Sequence, residues 1–419
     1  MDLTLSDEQE VLRESARGFL GRAWSTSGVR RARTPDGAGH DPGLWREMAS
    51  LGWLGLAFPG AVGGGGGDLL DLAVVFEEAG RALVPTTLHS TVEAALLIDR
   101  AADDDQRAVL LPPVLSGDRI VSVAIQEAGM RSSPAAIATT ASRDAAGDGV
   151  VVDGTKLFVP NAGVADALVV VARGPDGVVL VVVPTDSAGV VRTPLQTFAG
   201  DAQHMVAFDR VRLPAHRVLA GGWPAVAHVR RDATALQCVE MAGGARAVLD
   251  MTVQYVTDRH QFGRPLGSLQ AVQHQVADLS MRIDAAWLAA WQAVWRCAGG
   301  ADAEGAEREV AIAKTAASDA YVDATLTAHQ LHGGIGFAVD HDLHLWSDRA
   351  RWAAATHGTS DEHLRSLSQL RGRADRALLQ PTRGHLAADH LLGSEASRQR
   401  STSGRDKADL SSRAPRRAS

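Results

Sequence analysis

Three short stretches of this 419-residue sequence bring together residue types that can do chemistry. In ATHGTSDEH, residues 355–363, small residues present His357 just ahead of Gly358, Thr359 and Ser360. An imidazole with an ordinary pKa near ~6.5 can take a proton at neutral pH; it can equally fill space or hold a bound group. In LQCVEMAGGA, Glu240 stands among apolar residues. Desolvation is expected to raise its pKa toward that of a general base, and the alternative is a buried acid satisfied by an arginine or by amides. In QLHGGIGFAVDHDLHLW, residues 330–346, Gly333, Gly334 and Gly336 would let backbone amides approach a ligand with no Cβ in the way. Glycine just past a helix end is also a common terminator. Asp361 and Glu362 are expected on the exposed first turn of a helix, where acids suit the N-terminal dipole.

The elements that must position these residues follow from patterning. Ser6 and Gln9 form a capping-box pattern ahead of Leu12, Ala16, Phe19 and Leu20 at helical spacing. Further helical stretches, DPGLWREMASLGW and LLDLAVVFEEAGRAL, flank a run of five glycines that must be a loop. From Arg119 the pattern turns to short β-branched runs: RIVSVAI, GVVVDGTKLFV, ADALVVVAR, GVVLVVVP and HMVAFDRVRLP, strands of a mostly antiparallel domain. After Pro214 helical periodicity returns. Leu269, Val272, Val276, Leu279, Ile283, Ala286 and Ala290 mark the seam of one long helix, and REVAIAKTAASDAYVDATLTAHQL forms a second. The fold class is therefore α+β: a helical domain at 1–118, an antiparallel β-barrel or sandwich domain at 119–214, and a four-helix bundle at 222–378. The last 26 residues, from Ser394, are too polar to offset the entropy of ordering, and 379–419 reads as a disordered tail.

Composition narrows the function classes. Forty-two Lys and Arg against 49 Asp and Glu give a net charge of −7, so no basic field exists for nucleic acid. Two cysteines, Cys238 and Cys297, have no neighbours at metal-ligand spacing. The amino terminus lacks a basic and apolar leader, and no apolar run approaches a membrane span. A cytoplasmic protein without membrane insertion is expected.

Together DRHQFGRPLGSLQAVQHQVAD, residues 258–278, and the 330–346 stretch resemble the acyl-CoA dehydrogenase family, and FEEAGRALVP and FDRVRLPAHRVL are similar to it too. The resemblance covers about residues 1–375 and implies FAD as cofactor and an acyl-CoA substrate. It implies a homo- or hetero-oligomer, a dimer or tetramer, that passes electrons to an acceptor flavoprotein. By the same resemblance Arg259 grips the pyrophosphate, for which a planar, permanently charged guanidinium is suited. Phe262 follows at the family's spacing. Gln270 matches the glutamine that reaches a neighbouring subunit's dinucleotide, and Gln330, Gly333, Gly334 and Thr359 are further cofactor contacts.

The sequence departs from the family in two places. The flavin-ring segments read QEAGMRSSP and FVPNA: Gln126 stands where a threonine is usual, Ser132 keeps a hydroxyl, and Pro160 lacks an N–H donor. His357 occupies the position of the family's usual catalytic glutamate, and Ala233 occupies the alternative one. Glu240, seven residues on, and His357 are thus the candidate bases. The branch resembled acts on CoA thioesters of bulky, ring-bearing or steroid side-chain acids as mixed oligomers. Two alternatives stay open: a catalytically silent subunit that completes a partner's FAD site, and a flavin monooxygenase on the same fold.

Overall fold

The capping box expected at Ser6 is formed. Its hydroxyl accepts from the Gln9 amide at 3.2 Å while the Gln9 side chain accepts from the Ser6 amide at 3.2 Å, opening helix α1 (Asp7–Ala23). The computed structural model describes residues 4–33, 38–129, 133–144, 147, 149–299 and 303–379. Ser132 and nearly all of the 379–419 stretch lie outside these residues. Residues 1–374 form one compact unit, to which everything below refers.

Six further helices make up the amino-terminal part: α2 (Thr26–Ala32), α3 (Pro42–Ser50), α4 (Leu69–Ala82), α5 (Thr87–Ala101), α6 (Asp104–Leu110) and α7 (Pro112–Leu115). The sheet follows, with β1 (Val121–Ala124), β2 (Thr140–Arg143), β3 (Gly149–Pro160), β4 (Ala167–Gly174), β5 (Gly177–Pro184), β6 (Val190–Leu195), β7 (Gln203–Pro214) and β8 (Val218–Leu219). These eight strands form one sheet in the order β6-β7-β3-β2-β4-β5-β8, with β1 joined to β4. Most pairs are antiparallel as expected, but β4 runs parallel to both β1 and β2. The unbroken apolar runs of β4 and β5 follow from burial on both faces. Leu168, Val170, Ala172, Val181 and Val183 enter one hydrophobic cluster, and Val169, Val171, Leu180 and Val182 enter another.

Four long or mid-length helices close the fold: α8 (Gly222–Asp258), α9 (Gln270–Ala298), α10 (Ala303–His332) and α11 (Leu343–Ala355), with α12 (Ser360–Leu379) after them. On α9 the expected seam is buried at Leu279, Ile283, Ala286 and Ala290, while Val272 and Val276 are only half-buried. Helix α8 runs hard against α4. A Cβ at Gly80 would lie 1.9 Å from the Glu240 carbonyl oxygen, and one at Gly243 would lie 2.0 Å from that of Glu77. Only glycine lets the two backbones approach this closely. Glu77 itself accepts from the indole N–H groups of Trp287 and Trp291, each at 3.0 Å, tying α4 to α9.

Candidate active site

A cleft of about 580 Å³ opens between the sheet and the helices. One wall carries Gln126, Phe158 and Pro160; the other carries His89 and Glu93 from α5, Arg230 from α8, and the Thr356–Gly358 turn after α11. A register shift in the β3–β7 pairing between Lys156 and Val159 coincides with a left-handed backbone at Phe158, φ 51°, whose ring is 57% exposed beside the cleft. Asn161, also left-handed, is buried and donates to Thr86 Oγ1 at 3.2 Å and Ser90 Oγ at 2.9 Å. That amide fixes the end of β3 against the start of α5, and so sets the two walls relative to each other.

His357 lies in this cleft, as its sequence position implied. Its backbone is left-handed, φ 58°, ahead of Gly358 at φ 103°, a conformation that costs a non-glycine residue of order 1 kcal/mol or more. The ring stands 5.3 Å, centroid to centroid, from that of His89, and its Nε2 lies 3.9 Å from Glu93 Oε2. Burial, then the nearby His89, Arg230, Lys314 and His363, hold its pKa well below the usual histidine value. Glu93 is shifted in the opposite direction on its own scale. Burial raises its pKa, opposed in part by His89 and Arg230.

Glu240 does not line the cleft. Its Oε1 accepts from Arg349 Nη1 at 2.8 Å, Arg349 Nη2 donates to the Val84 carbonyl at 2.7 Å, and His89 Nδ1 stands 3.5 Å from Oε2. The raised pKa expected of Glu240 is therefore corrected. Burial alone pushes it up, but His89 and Arg349 outweigh that and hold the carboxyl below its usual range. The 3.5 Å contact does not have hydrogen-bond geometry, and both His89 ring nitrogens remain without a hydrogen bond. Its contribution is electrostatic, and the bonded Arg349 is the firmer partner. Arginine satisfaction of a buried acid was the alternative reading at this position.

Thr359 opens α12. Its amide donates to Glu362 Oε2 at 2.9 Å, and its hydroxyl accepts from the Glu362 amide at 3.4 Å. Asp361 and Glu362 occupy the first turn of α12, as expected.

The two long motifs meet away from the cleft floor. Tyr255 stacks on His332 with centroids 4.3 Å apart and donates to its carbonyl at 3.2 Å, which brings the end of α8 against the turn Gly333–Phe337. Beyond Tyr255, Arg259 ends the helix and the strands His260–Gln261 and Arg264–Pro265 form a two-residue hairpin. Phe262 and Gly263 at its tip have φ 54° and 76°, and the Phe262 ring is 86% exposed. Arg259 is exposed and has no ion-pair partner among the described residues. Gln270 and Gln330 are exposed at the start of α9 and near the end of α10.

The three glycines of the second motif separate by cause. Gly336 is packed, since a Cβ there would meet the His332 Cβ at 2.9 Å. Gly333, φ 63°, is the left-handed residue just past α10, so the helix-terminator reading holds for it. Gly334 has neither reason, because a Cβ there meets nothing within 4 Å. The open space beside Gly334, the free guanidinium of Arg259 and the exposed Phe262 fit a dinucleotide pyrophosphate and its neighbouring rings.

Sequence comparison agrees with this architecture. Models of the acyl-CoA dehydrogenase N-terminal, middle and C-terminal domains match residues 6–118, 122–211 and 220–369. The acyl-CoA dehydrogenase IpdE2 of Mycolicibacterium smegmatis is 31% identical over 369 residues, 87% of this chain and 98% of that protein. The chain belongs to the acyl-CoA dehydrogenase family. Its fold is the family's three-domain arrangement, and membership makes it a flavoprotein oxidoreductase whose cofactor is FAD. Two solved structures extend the likeness. A variant of the Tcur3481-Tcur3483 steroid ACAD is 34% identical with a TM-score of 0.80, covering 89% of this chain and all of that one. The ChsE4-ChsE5 complex of Mycobacterium tuberculosis is 27% identical with a TM-score of 0.80, covering 91% and 99%. Among the described residues, no helix is long and apolar enough to cross a membrane.

His89, Glu93, Arg230 and Arg349 shape the site, yet no motif spacing marks them. The available signal was an imidazole and a carboxylate four residues apart in the apolar helix TLHSTVEAALLI, now α5, where i and i+4 share a face. His89, Glu93 and His357 place donor atoms within 4.8 Å of one another, a set of the kind that binds divalent metals. A tetrahedral zinc needs each donor at about 2.0–2.2 Å, so the cluster would have to contract around it.

Proposed function

We propose that this chain catalyses α,β-dehydrogenation of an acyl-CoA thioester of a bulky or ring-bearing acid, as one subunit of a mixed oligomer, with Arg259, Phe262, Gly334 and Gln330 contacting FAD. Gln270 reaches the dinucleotide of a neighbouring subunit. The observation that carries the reading is the cleft itself. It lies between the strand segments at the family's flavin-ring positions and the turn at the family's catalytic-base position, so an acyl chain placed there has an oxidant on one side and titratable groups on the other. FAD, when bound, accepts the β-hydrogen as hydride.

The protein's own residues do the rest. Phe158 and Trp352 supply apolar surface to the acyl group, and the buried floor at His89, Glu93 and His357 excludes water from the reacting carbons. Arg230 brings a positive charge to the cleft that stabilises negative charge developing on a thioester enolate. The solved relatives that are complexes of two chains support a mixed assembly, and their steroid designation supports a bulky acyl group. An electron-acceptor flavoprotein reoxidises the cofactor in this reading.

The experiment is anaerobic addition of steroid side-chain and shorter acyl-CoA thioesters to the chain purified alone and with a dehydrogenase-like chain encoded beside it. Bleaching of the flavin absorbance near 450 nm in either preparation is the expected result. Oxygen-dependent hydroxylation of product without anaerobic bleaching contradicts it.

A further inference from the structure

We propose that Glu93 on α5, rather than His357 or Glu240, is the base that removes the α-proton of the acyl thioester. The inference rests on the dehydrogenase reading above and deepens it. Three carboxylates line the cleft: Glu93, Asp201 and Glu362. Asp201 has both oxygens engaged, one by the Thr197 hydroxyl at 2.6 Å and the other by the Gln203 side-chain amide at 2.6 Å. Glu362 caps α12 through Thr359 and is exposed. Glu93 is 7% exposed, and its carboxylate takes part in no hydrogen bond among the described residues. His357 Nε2 stands 3.9 Å from it and a His89 ring nitrogen within 4.8 Å, so the carboxylate lies within one side chain's reach of the position where the family's glutamate stands.

Position and chemistry point the same way. A base must sit within hydrogen-bond reach of the proton it takes, and among groups so placed the one with higher pKa drives the transfer further. His357 is held neutral but is a weakened base, since burial and its cationic or titratable neighbours oppose a second proton. Glu240 is committed to Arg349 and lies behind His89, off the cleft. Burial makes Glu93 a stronger base than an exposed carboxylate, while Arg230 and His89 keep its charged form accessible. In the step, the Cα–H bond breaks and its electron pair becomes the Cα=Cβ bond, with the proton passing to a Glu93 oxygen. The β-hydrogen leaves with its own electron pair to oxidised FAD, so the products are an enoyl thioester, protonated Glu93 and reduced flavin. The charged and titratable groups that act on Glu93 are His89, Arg230 and His357, and Lys314 and His363 act in turn on His357.

The test separates proton removal from flavin chemistry. The flavin-loaded assembly, with any companion chain present, is first reduced so that hydride transfer is blocked. Exchange of the α-protons of a saturated acyl-CoA into D2O is then followed by proton NMR. Glu93→Gln is expected to slow exchange by about 100-fold or more, with FAD content and thermal midpoint retained, and Glu93→Asp to recover part of the rate. His357→Gln, which also alters the cleft floor, is expected to slow exchange by less than Glu93→Gln does. Parent-like exchange in Glu93→Gln, or its abolition in His357→Gln alone, overturns the assignment. Should Glu93→Gln not fold, the parent's own profile decides. Exchange that rises with one ionisation above the ordinary carboxylate range and resists chelators supports Glu93; loss on chelation with recovery on added zinc overturns it. A parent assembly that neither exchanges nor bleaches overturns the dehydrogenase reading as well, whereas bleaching unaffected by Glu93→Gln removes Glu93 alone.

Discussion

Arg349 and Glu240 are 12% and 9% exposed at their side chains, and each leaves an uncompensated group if the other is removed. Arg349→Met is therefore expected to cost about 3 kcal/mol or more, read as a lower urea midpoint with unchanged slope. Titration follows from the two signs. The folded-state pKa of Glu240 is depressed, so the stability it contributes is present above about 4.5 and is lost as pH falls through the folded value. His357 also has a depressed pKa, but it is folded as the neutral form. Protons bind the unfolded chain better, and stability declines as pH drops below about 6.5. His357→Gln should flatten the fall in thermal midpoint between pH 7 and pH 5.5, where one such histidine contributes up to about 1.4 kcal/mol per pH unit. A slope unchanged by the substitution would show that the ring is not buried neutral. At this scale the Thr356–Gly358 turn beside the cleft was legible because its residues are contiguous. Glu93 was not, because its importance comes from a chain-distant neighbour, His357, brought beside it by α5 packing on α8 and the sheet.

The elements divide by how strongly their sequence commits them. Helices α1 and α4 carry capping boxes and strands β3, β4 and β5 carry β-branched runs, and, with α10 and β7, they form where patterning puts them. The strands β2 and β6 carry less signal. TASR has one β-branched residue, and VVRTPL is an exposed strand at the sheet edge with Pro194, a position where proline is tolerated. Parallel pairing of β4 with β1 and β2 is likewise not written in local periodicity. The crossing of α4 and α8 tests the packing account directly. Gly80→Ala and Gly243→Ala each force a backbone contact apart and are expected to cost about 1–3 kcal/mol by chemical denaturation. In the second motif, Gly336→Ala should destabilise the protein through His332. Gly334→Ala should leave the thermal midpoint of the flavin-free protein within about 0.5 kcal/mol of parent stability while lowering FAD retention on gel filtration. Equal FAD retention in Gly334→Ala and parent would argue that the open space there does not face the cofactor.

On the scale of the whole molecule, the chain presents Phe262, Phe337 and Val339 at 86%, 73% and 76% exposure beside the motifs assigned to the dinucleotide. Such side chains are costly to leave in water at about 25 cal/mol per Å², and a cofactor or neighbouring chain that covers them recovers that cost. The chain expressed with its companion is therefore expected to be flavin-replete and larger than a monomer by light scattering. The family and its three-part order were readable from contiguous motifs. The partner expected to cover these side chains would be a second molecule, whose surface one sequence does not encode.

The most direct test of the central claim is the FAD content of the purified assembly, with all natural companion chains supplied, measured by extraction and absorbance for the parent and for Arg259→Ala. Bound FAD in the parent and at least a tenfold weaker hold in Arg259→Ala, consistent with loss of a charge-assisted pair to phosphate, is the predicted result. A parent assembly that binds no FAD at all, or Arg259→Ala that holds it as tightly, would contradict the account.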